Sequence, residues 1–292
     1  MSVGIAEVYL QYKGLLFTLA YQMTGSVAEA EDIVQETFVA LAGVDINDIQ
    51  HVKSYLCKAV TNRCLDTLKS ARWKREQYVG EWLPEPLFDD GGENDPLRTV
   101  IAQEHVSYSL LVLLDRLSPA ERAVYVLRAA LDFEYRTIAD LLEKTEASCR
   151  KLYSRAQQRL KEPGLQVTAV PAPAKKLIEQ LMHAISKADA SALVQLLTQD
   201  AVLVSDGGGK ARAALRPIFT NRRVASFWKG VWPRWADHSH MEIRSINGQD
   251  GIVVISEGQV KMTIQISLNQ AEDRIERLFM VVNPDKLAHL QK

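Results

Sequence analysis

Cysteine is scarce in this 292-residue chain, and the three that occur exclude more than they suggest. Cys57 and Cys64 lie seven residues apart on a predicted helix, roughly 10 Å along its axis, beyond the reach of a disulfide. With Cys149 they read as reduced core residues. No Cys and His spacing resembles a zinc site, so no metal is expected. Long apolar runs are missing too, and nothing approaches the about 18 residues that span a membrane. The start of the chain lacks the charged-then-apolar pattern of a secretory leader, and a cytoplasmic protein is expected. Net charge is also absent, with 35 Lys and Arg against 36 Asp and Glu. Attraction to nucleic acid must therefore come from local clusters. One glycine-rich run, Asp206-Gly207-Gly208-Gly209-Lys210, could let a backbone approach a phosphate. It lacks the second half of a P-loop, and no cofactor is expected.

The length allows two or three domains. The most informative stretch is Ser26–Gly43, which reads as one helix. Ser26 stands three residues before Glu29, the spacing of a capping box, and Gly43 is placed to end the helix in a left-handed conformation. Ile33, Val34, Thr37, Phe38 and Leu41 recur at helical spacing and face a core. Glu29, Asp32, Gln35 and Glu36 share the opposite, acidic side. Composition alone would make that side a solvated surface.

The order Glu31-Asp32-Ile33-Val34-Gln35-Glu36-Thr37-Phe38 resembles the helix with which bacterial sigma factors of the sigma-70 family, in particular the extracytoplasmic-function type, grip the clamp of core RNA polymerase. The resemblance implies that Asp32, Gln35 and Glu36 carry the polymerase contact.

The resemblance extends along the chain. A first helix, about Val3 to Met23, stops at Thr24-Gly25. A third, about Val52 to Lys74, is expected to bury Val52, Tyr55, Leu56, Ala59 and Val60. Its outer side is basic. Between Lys53 and Arg75 seven cations face the single acid Asp66, with aromatics among them, a pattern suited to single-stranded DNA. Ala59-Val-Thr-Asn-Arg-Cys-Leu-Asp66 is similar to the promoter-melting region of the family. By that resemblance Asn62, Arg63, Lys69, Arg72 and Trp73 bind the -10 element, with a melting loop at about Gly43 to His51.

From Tyr78 to Pro96 the composition turns acidic and Pro-rich, as in a linker. Within it, Trp82-Leu83-Pro84-Glu85-Pro86-Leu87-Phe88 is apolar and stiffened, so it can dock with little loss of entropy. A second helical unit begins near Leu97. Ser118-Pro-Ala-Glu121 opens a helix to about Ala130. Helices at about Tyr135 to Glu143 and Glu146 to Lys161 then flank a short turn, which is helix-turn-helix spacing. In the last helix Cys149, Leu152, Tyr153, Ala156 and Leu160 face inward. Arg150, Lys151, Ser154, Arg155 and Gln158 face outward, with side chains suited to a major groove. This unit resembles the family's -35-binding region, although Glu143-Lys144 stands where many such turns place Gly.

After a second linker, Pro163 to Pro173, the pattern becomes mixed. Helices, a strand near Ala201 to Ser205, and four further strands with hairpin chemistry at Asn247-Gly248, Glu257-Gly258 and Asn269-Gln270 predict an α+β cone with an antiparallel sheet. It is similar to the SnoaL-like or NTF2-like fold. The motif Trp82-Leu-Pro-Glu-Pro86, the run Asp206 to Lys210 and Asn283-Pro284-Asp285 resemble a sigma subgroup carrying this extra domain. There they imply a contact between the domain and the sigma core.

The expected organisation is thus a multidomain chain with two all-α sigma domains, 1–78 and 97–162, joined by the linker 79–96. Residues 163–173 then lead to a SnoaL-like regulatory domain, 174–292. Core RNA polymerase and promoter DNA are the expected partners, a small ligand of unknown identity is open for the C-terminal pocket, and no enzyme activity is expected. Two rivals remain, a ligand-sensing one-component regulator and a SnoaL-type enzyme fused to DNA-binding helices. Asp206, His238 and His240 are the candidate acids and bases for the latter, the two histidines reading more simply as exposed residues.

Overall fold

The computed structural model describes residues 4–89, 107–161 and 174–291, without the side chains of 71–76 and 174. Two compact units emerge, one drawn from Met1–Glu76 and Leu110–Gln166, the other from Gln77–Asp90, Ser107–Ser109 and Val167–Lys292.

In the first unit, α1 (Ile5–Thr24) ends where Gly25 adopts φ 73° and its N–H bonds to Tyr21 O. Ser26 then caps α2 (Val27–Leu41) by accepting from the Glu29 N–H at 3.2 Å. The expected left-handed terminator at Gly43 is not used, because Ala42 closes α2 in ordinary helical geometry. The predicted face of α2 is buried as expected, at Ile33, Val34, Thr37, Phe38 and Leu41. In α3 (Val52–Glu76) the buried stripe is rotated from the prediction. Leu56, Cys57, Val60, Thr61, Cys64 and Leu68 are buried, while Tyr55 is 41% exposed. The reason is that α3 packs against α1, α2 and two later helices of the same unit at once, which spreads its apolar face.

After α4 (Tyr108–Leu114), α5 (Pro119–Tyr125) begins with a complete capping box between Ser118 and Glu121 and passes into a π turn at Val126–Ala130. The helix-turn-helix consists of α6 (Tyr135–Leu142) and α7 (Glu146–Leu160). Glu143 occupies the left-handed position between them, φ 55° and ψ 46°, where a glycine would be unstrained. The predicted helix start near Leu97 and the linker 163–173 lie outside the described residues.

The second unit is built on six strands, β1 (Leu197–Asp206), β2 (Ile218–Phe219), β3 (Ser239–Ile246), β4 (Gln249–Ser256), β5 (Gln259–Leu268) and β6 (Ile275–Val281), in the order β2-β1-β6-β5-β4-β3. The sheet is mixed and not purely antiparallel, since β1 runs parallel to β6. Asn247-Gly248 and Glu257-Gly258 form the two tight hairpins with positive φ at all four residues. The third turn is longer than expected, a loop over 269–274 in which Asn269 Oδ1 accepts from the N–H groups of Asp273 and Arg274.

Helices α8 (Ala174–Ser186), α9 (Ala190–Leu196) and α10 (Asn221–Val231) belong to the same unit, and α11 (Pro284–Leu287) follows β6. Ile178, Leu181, Ile185, Val224 and Trp228 share a core with Leu203, Ile252, Val254, Met262, Ile264, Leu278 and Met280 of the sheet. By the period of two, Val253, Thr263, Gln265, Phe279 and Val281 point to the other face, and they are buried as well.

Candidate functional site

The predicted polymerase-contact residues form one stripe on α2, with Asp32, Gln35 and Glu36 all exposed. Val39, which the sequence reading passed over, continues that stripe and is 75% exposed. Glu36 also lies 3.7 Å from Arg63 of α3, so the acidic stripe adjoins one of the predicted -10 residues. Asn62 and Lys69 are exposed, and Lys69 pairs with Asp66 at 2.8 Å. The side chains of Arg72 and Trp73 lie outside the described residues.

Of the predicted -35 residues, Arg150, Lys151, Ser154, Arg155 and Gln158 are all exposed along α7, while Cys149 and Ala156 anchor its inner side. Arg150 is held by Glu146 at 3.2 Å and by the Tyr135 ring, whose centroid is 4.4 Å from its guanidinium. Such fixing reduces the entropy a base contact must overcome. Arg159 pairs at 2.8 Å with Glu121, the capping-box partner of Ser118 in the first turn of α5. Burial alone would raise the pKa of Glu121, but hydrogen bonds from Ser118 and the charge of Arg159 outweigh it and hold the carboxyl below its usual range. Within this unit α3 also meets the helix-turn-helix directly. Lys58 lies 3.1 Å from Glu143 and Lys53 stands over the Phe133 ring.

The third constellation lies in the second unit. The linker there, residues 77–89, is bonded to the C-terminal domain along most of its length. Asp206 is fully buried at the end of β1. It accepts from Tyr78 Oη, from the Leu83 N–H at 2.8 Å and from Lys286 Nζ at 2.7 Å. Lys286 also donates to Leu83 O and lies over the rings of Tyr78 and Trp82. Asn283 donates to Tyr78 Oη at 2.9 Å, and Lys210 pairs with Asp285. Burial first, and then the neighbouring Asp206 carboxylate, push the Tyr78 phenol well above its ordinary pKa.

Further along, His289 Nε2 meets Pro86 O at 2.7 Å, and Asn247 Oδ1 accepts from the Leu87 N–H at 3.1 Å. The Asp89 N–H donates to Ser245 O, so the linker adds a short antiparallel bridge to the free edge of β3. Leu83, Pro84, Pro86, Leu87 and Phe88 are buried, and Tyr108 Oη reaches Pro84 O at 2.7 Å.

The glycines of the run 207–209 have a plain steric reason. A Cβ at Gly207 would strike Ala211 O, and one at Gly208, φ 56°, would sit 2.8 Å from Asn283 Cγ and 3.0 Å from Tyr78 Oη. At Gly209, φ 72°, it would approach Val79 at 3.1 Å. Gly207 thus makes room for its own loop at Ala211 and Ala213, and Gly208 and Gly209 admit Asn283 and the linker residues Tyr78 and Val79, not a phosphate. Sequence reasoning missed Tyr78, Lys286, His289 and Asn247, which complete the contact. A buried-type Tyr flanking a linker and a Lys next to Asn283-Pro284-Asp285 were the available signals.

The rival catalytic candidates are not brought together. Asp206 is committed to Lys286, and His238 is exposed. His240 lines an open cleft of about 490 Å³ with Glu179, Met182, His183, Trp232 and Met241. Among the described residues no group of three potential metal ligands occurs, and no helix is long and apolar enough to cross a membrane.

The model of Sigma-70 region 2 matches residues 8–74, and that of Sigma-70, region 4 matches residues 107–160. The ECF RNA polymerase sigma factor SigJ of Mycobacterium tuberculosis is 32% identical over 294 residues, which cover 98% of this chain and 93% of that protein. A probable ECF RNA polymerase sigma factor of the same organism, SigI, is 30% identical over 199 residues, covering 66% of this chain and 67% of the relative. The crystal structure of SigJ superposes with a TM-score of 0.77 at 28% identity, covering 97% of this chain and 98% of that one.

Proposed function

Since the chain belongs to the extracytoplasmic-function sigma factors of the sigma-70 family, we propose that Asp32, Gln35 and Glu36 bind core RNA polymerase, that α3 with its preceding loop binds the -10 element, and that α7 reads the -35 element. The observation that carries the polymerase assignment is the geometry of α2. Apart from Val39, its large apolar residues are consumed by the core, which leaves an exposed and mainly charged stripe suited to a reversible partner. For α7 the support is the set of five outward polar side chains on a helix seated by the preceding helix and turn.

The C-terminal domain acts in this reading as a regulator in cis, through Trp82, Pro84 and Pro86 of the linker, Asp206 to Lys210, and Asn283, Pro284 and Asp285. Freed, the twelve residues from Tyr78 to Asp89 would contribute up to about 40 Å of reach. Elements named for positions about 25 base pairs apart are separated by about 85 Å of straight duplex at 3.4 Å per step. Holding the linker therefore withholds this part of the reach from the two DNA-binding domains, and reading both elements requires the Lys58–Glu143 contact to open. The domain is read as regulatory and not catalytic, because the carboxylate nominated as a base is buried in an ion pair.

The test is run-off transcription with core enzyme. Asp32→Ala with Gln35→Ala should abolish association with core polymerase in pull-down. Arg150→Ala or Arg155→Ala should relax preference at particular -35 positions, costing about 1–3 kcal/mol per lost base contact. Unchanged pull-down and unchanged promoter output would exclude the sigma assignment of these residues. Product formation from a small substrate, lost on replacing His240, would favour the fused-enzyme rival.

A further inference from the structure

Between Asp206 and Asp237 the chain carries seven cations, Lys210, Arg212, Arg216, Arg222, Arg223, Lys229 and Arg234, and no Asp or Glu. In a molecule whose net charge is -1, a stretch of this kind stands apart from the usual interspersion of signs on a soluble surface. All seven are exposed. Lys210 is paired with Asp285, and among the described residues the other six make no ion pair.

The stretch is placed by the core it leaves behind. Val224, Ala225 and Trp228 of α10 are buried, which turns Arg222, Arg223 and Lys229 outward. Arg222 and Arg223 stand in the first turn of α10, where the helix dipole already concentrates positive charge and where no acid offsets it. That crowding is unfavourable in the free protein and is relieved by an anion. Immediately before the helix, on the edge strand β2, Phe219 is 56% exposed, and Leu215 in the loop ahead of it is 64% exposed.

We propose that this face of the C-terminal domain is a further nucleic-acid contact of the chain, in which Arg216, Arg222, Arg223 and Lys229 neutralise phosphates of promoter DNA and Phe219 rests against a base or sugar. Cations without acids bind the phosphodiester backbone irrespective of sequence, and an accessible aromatic ring suits an unstacked base. A DNA already engaged by the two helical domains meets this face at high effective concentration, so modest intrinsic affinity is enough. The domain would then add affinity and salt dependence to promoter binding without adding sequence preference. The phosphates can belong to duplex flanking the promoter elements or to a single strand exposed by melting, and Phe219 favours the latter.

The experiment uses the full chain bound to core polymerase and follows fluorescence anisotropy with a labelled promoter duplex and with a labelled single strand, between 50 and 200 mM salt. Replacing Arg216, Arg222, Arg223 and Lys229 with Gln should flatten the plot of log K against log salt by about 0.9 per lost duplex contact, or about 0.7 on a single strand, thus by about 3 to 4 for all four on duplex. The same variants with Lys at the three Arg positions should keep the slope, and Phe219→Ala should weaken the single strand more than the duplex. A slope equal to the parent's on both DNAs overturns the proposal. If the Gln variants instead weaken assembly with core polymerase, the face docks an acidic protein surface and the nucleic-acid reading is wrong. Arg150→Ala serves as the independent control, since relaxed -35 preference in that variant keeps the sigma assignment standing whichever way the basic face decides.

Discussion

Asp206→Ala is the substitution that bears most directly on how the linker is held. In the parent, one carboxylate with no solvent exposure serves Tyr78, the backbone of Leu83 and Lys286, and Lys286 is itself only 6% exposed. Truncation leaves the Lys286 ammonium buried without its counter-charge. Breaking a buried pair from one side costs about 3–5 kcal/mol, and an orphaned buried N–H at Leu83 adds about 1–3 kcal/mol if it stays buried. The cheaper outcome is release of the linker, so the effect divides between lower stability and an exposed Tyr78–Asp89 segment. With a urea m-value of about 2 kcal/mol/M, a loss of about 4 kcal/mol moves the midpoint by about 2 M. Far-ultraviolet dichroism in urea reads the midpoint, and limited proteolysis within 77–89 reads the release. Asp206→Asn combined with Lys286→Met should cost less than the sum of the two single changes, because neither charge is left alone. A midpoint within a few tenths of a molar of the parent, with the linker equally protected, would refute the reasoning.

Gly208→Ala should release the linker by sterics alone. It places a methyl against Asn283 and Tyr78 at a left-handed φ, so it should destabilise by about 1–3 kcal/mol and raise proteolysis within 77–89. Burial pushes the Cys57 and Cys64 thiols up to about 12, so both should resist an aromatic disulfide reagent at pH 8 until urea is added. The sign of the pH effect follows from that direction. Unfolded thiols ionise near pH 8.5–9 while the folded ones stay protonated, so unfolding releases protons above that range. Stability should then fall with rising pH toward about 12, by up to about 1.4 kcal/mol per unit per thiol, and Cys57→Ala with Cys64→Ala should flatten this part of the pH dependence.

Much of the two helical domains was legible because their signals are local. The start of α2, its five buried positions and its exposed Asp32, Gln35 and Glu36 follow from one period and one capping residue, whereas its end does not, because Gly43 is not the terminator. The start of α5 follows from Ser118-Pro119, and the helix-turn-helix from two helices three residues apart. The turn itself was less legible, since Glu143 adopts the left-handed conformation that a glycine would have announced. The buried stripe of α3 was misplaced at Tyr55 because a helix packed on several sides has no single apolar face to read.

What the chain determined by itself was therefore most of the described elements, though not β2 or α11, together with the outward residues of α2 and α7, the family resemblance and the apolar character of the Trp82–Phe88 segment. Only the tertiary structure decided where that segment goes. Tyr78 and Asp206 are 128 positions apart and Tyr78 and Asn283 are 205 apart, and no periodicity reports contacts at such separations. The parallel pairing of β1 with β6 was hidden for the same reason, because a strand's local pattern tells which face is buried and not which neighbour completes its hydrogen bonds. Gly207, Gly208 and Gly209 looked like room for a phosphate. The fold fills that room with Ala211 and Ala213 at Gly207 and with Asn283 and the linker residues Tyr78 and Val79 at Gly208 and Gly209, since a missing side chain shows that something must come close and leaves its identity to the partner surface.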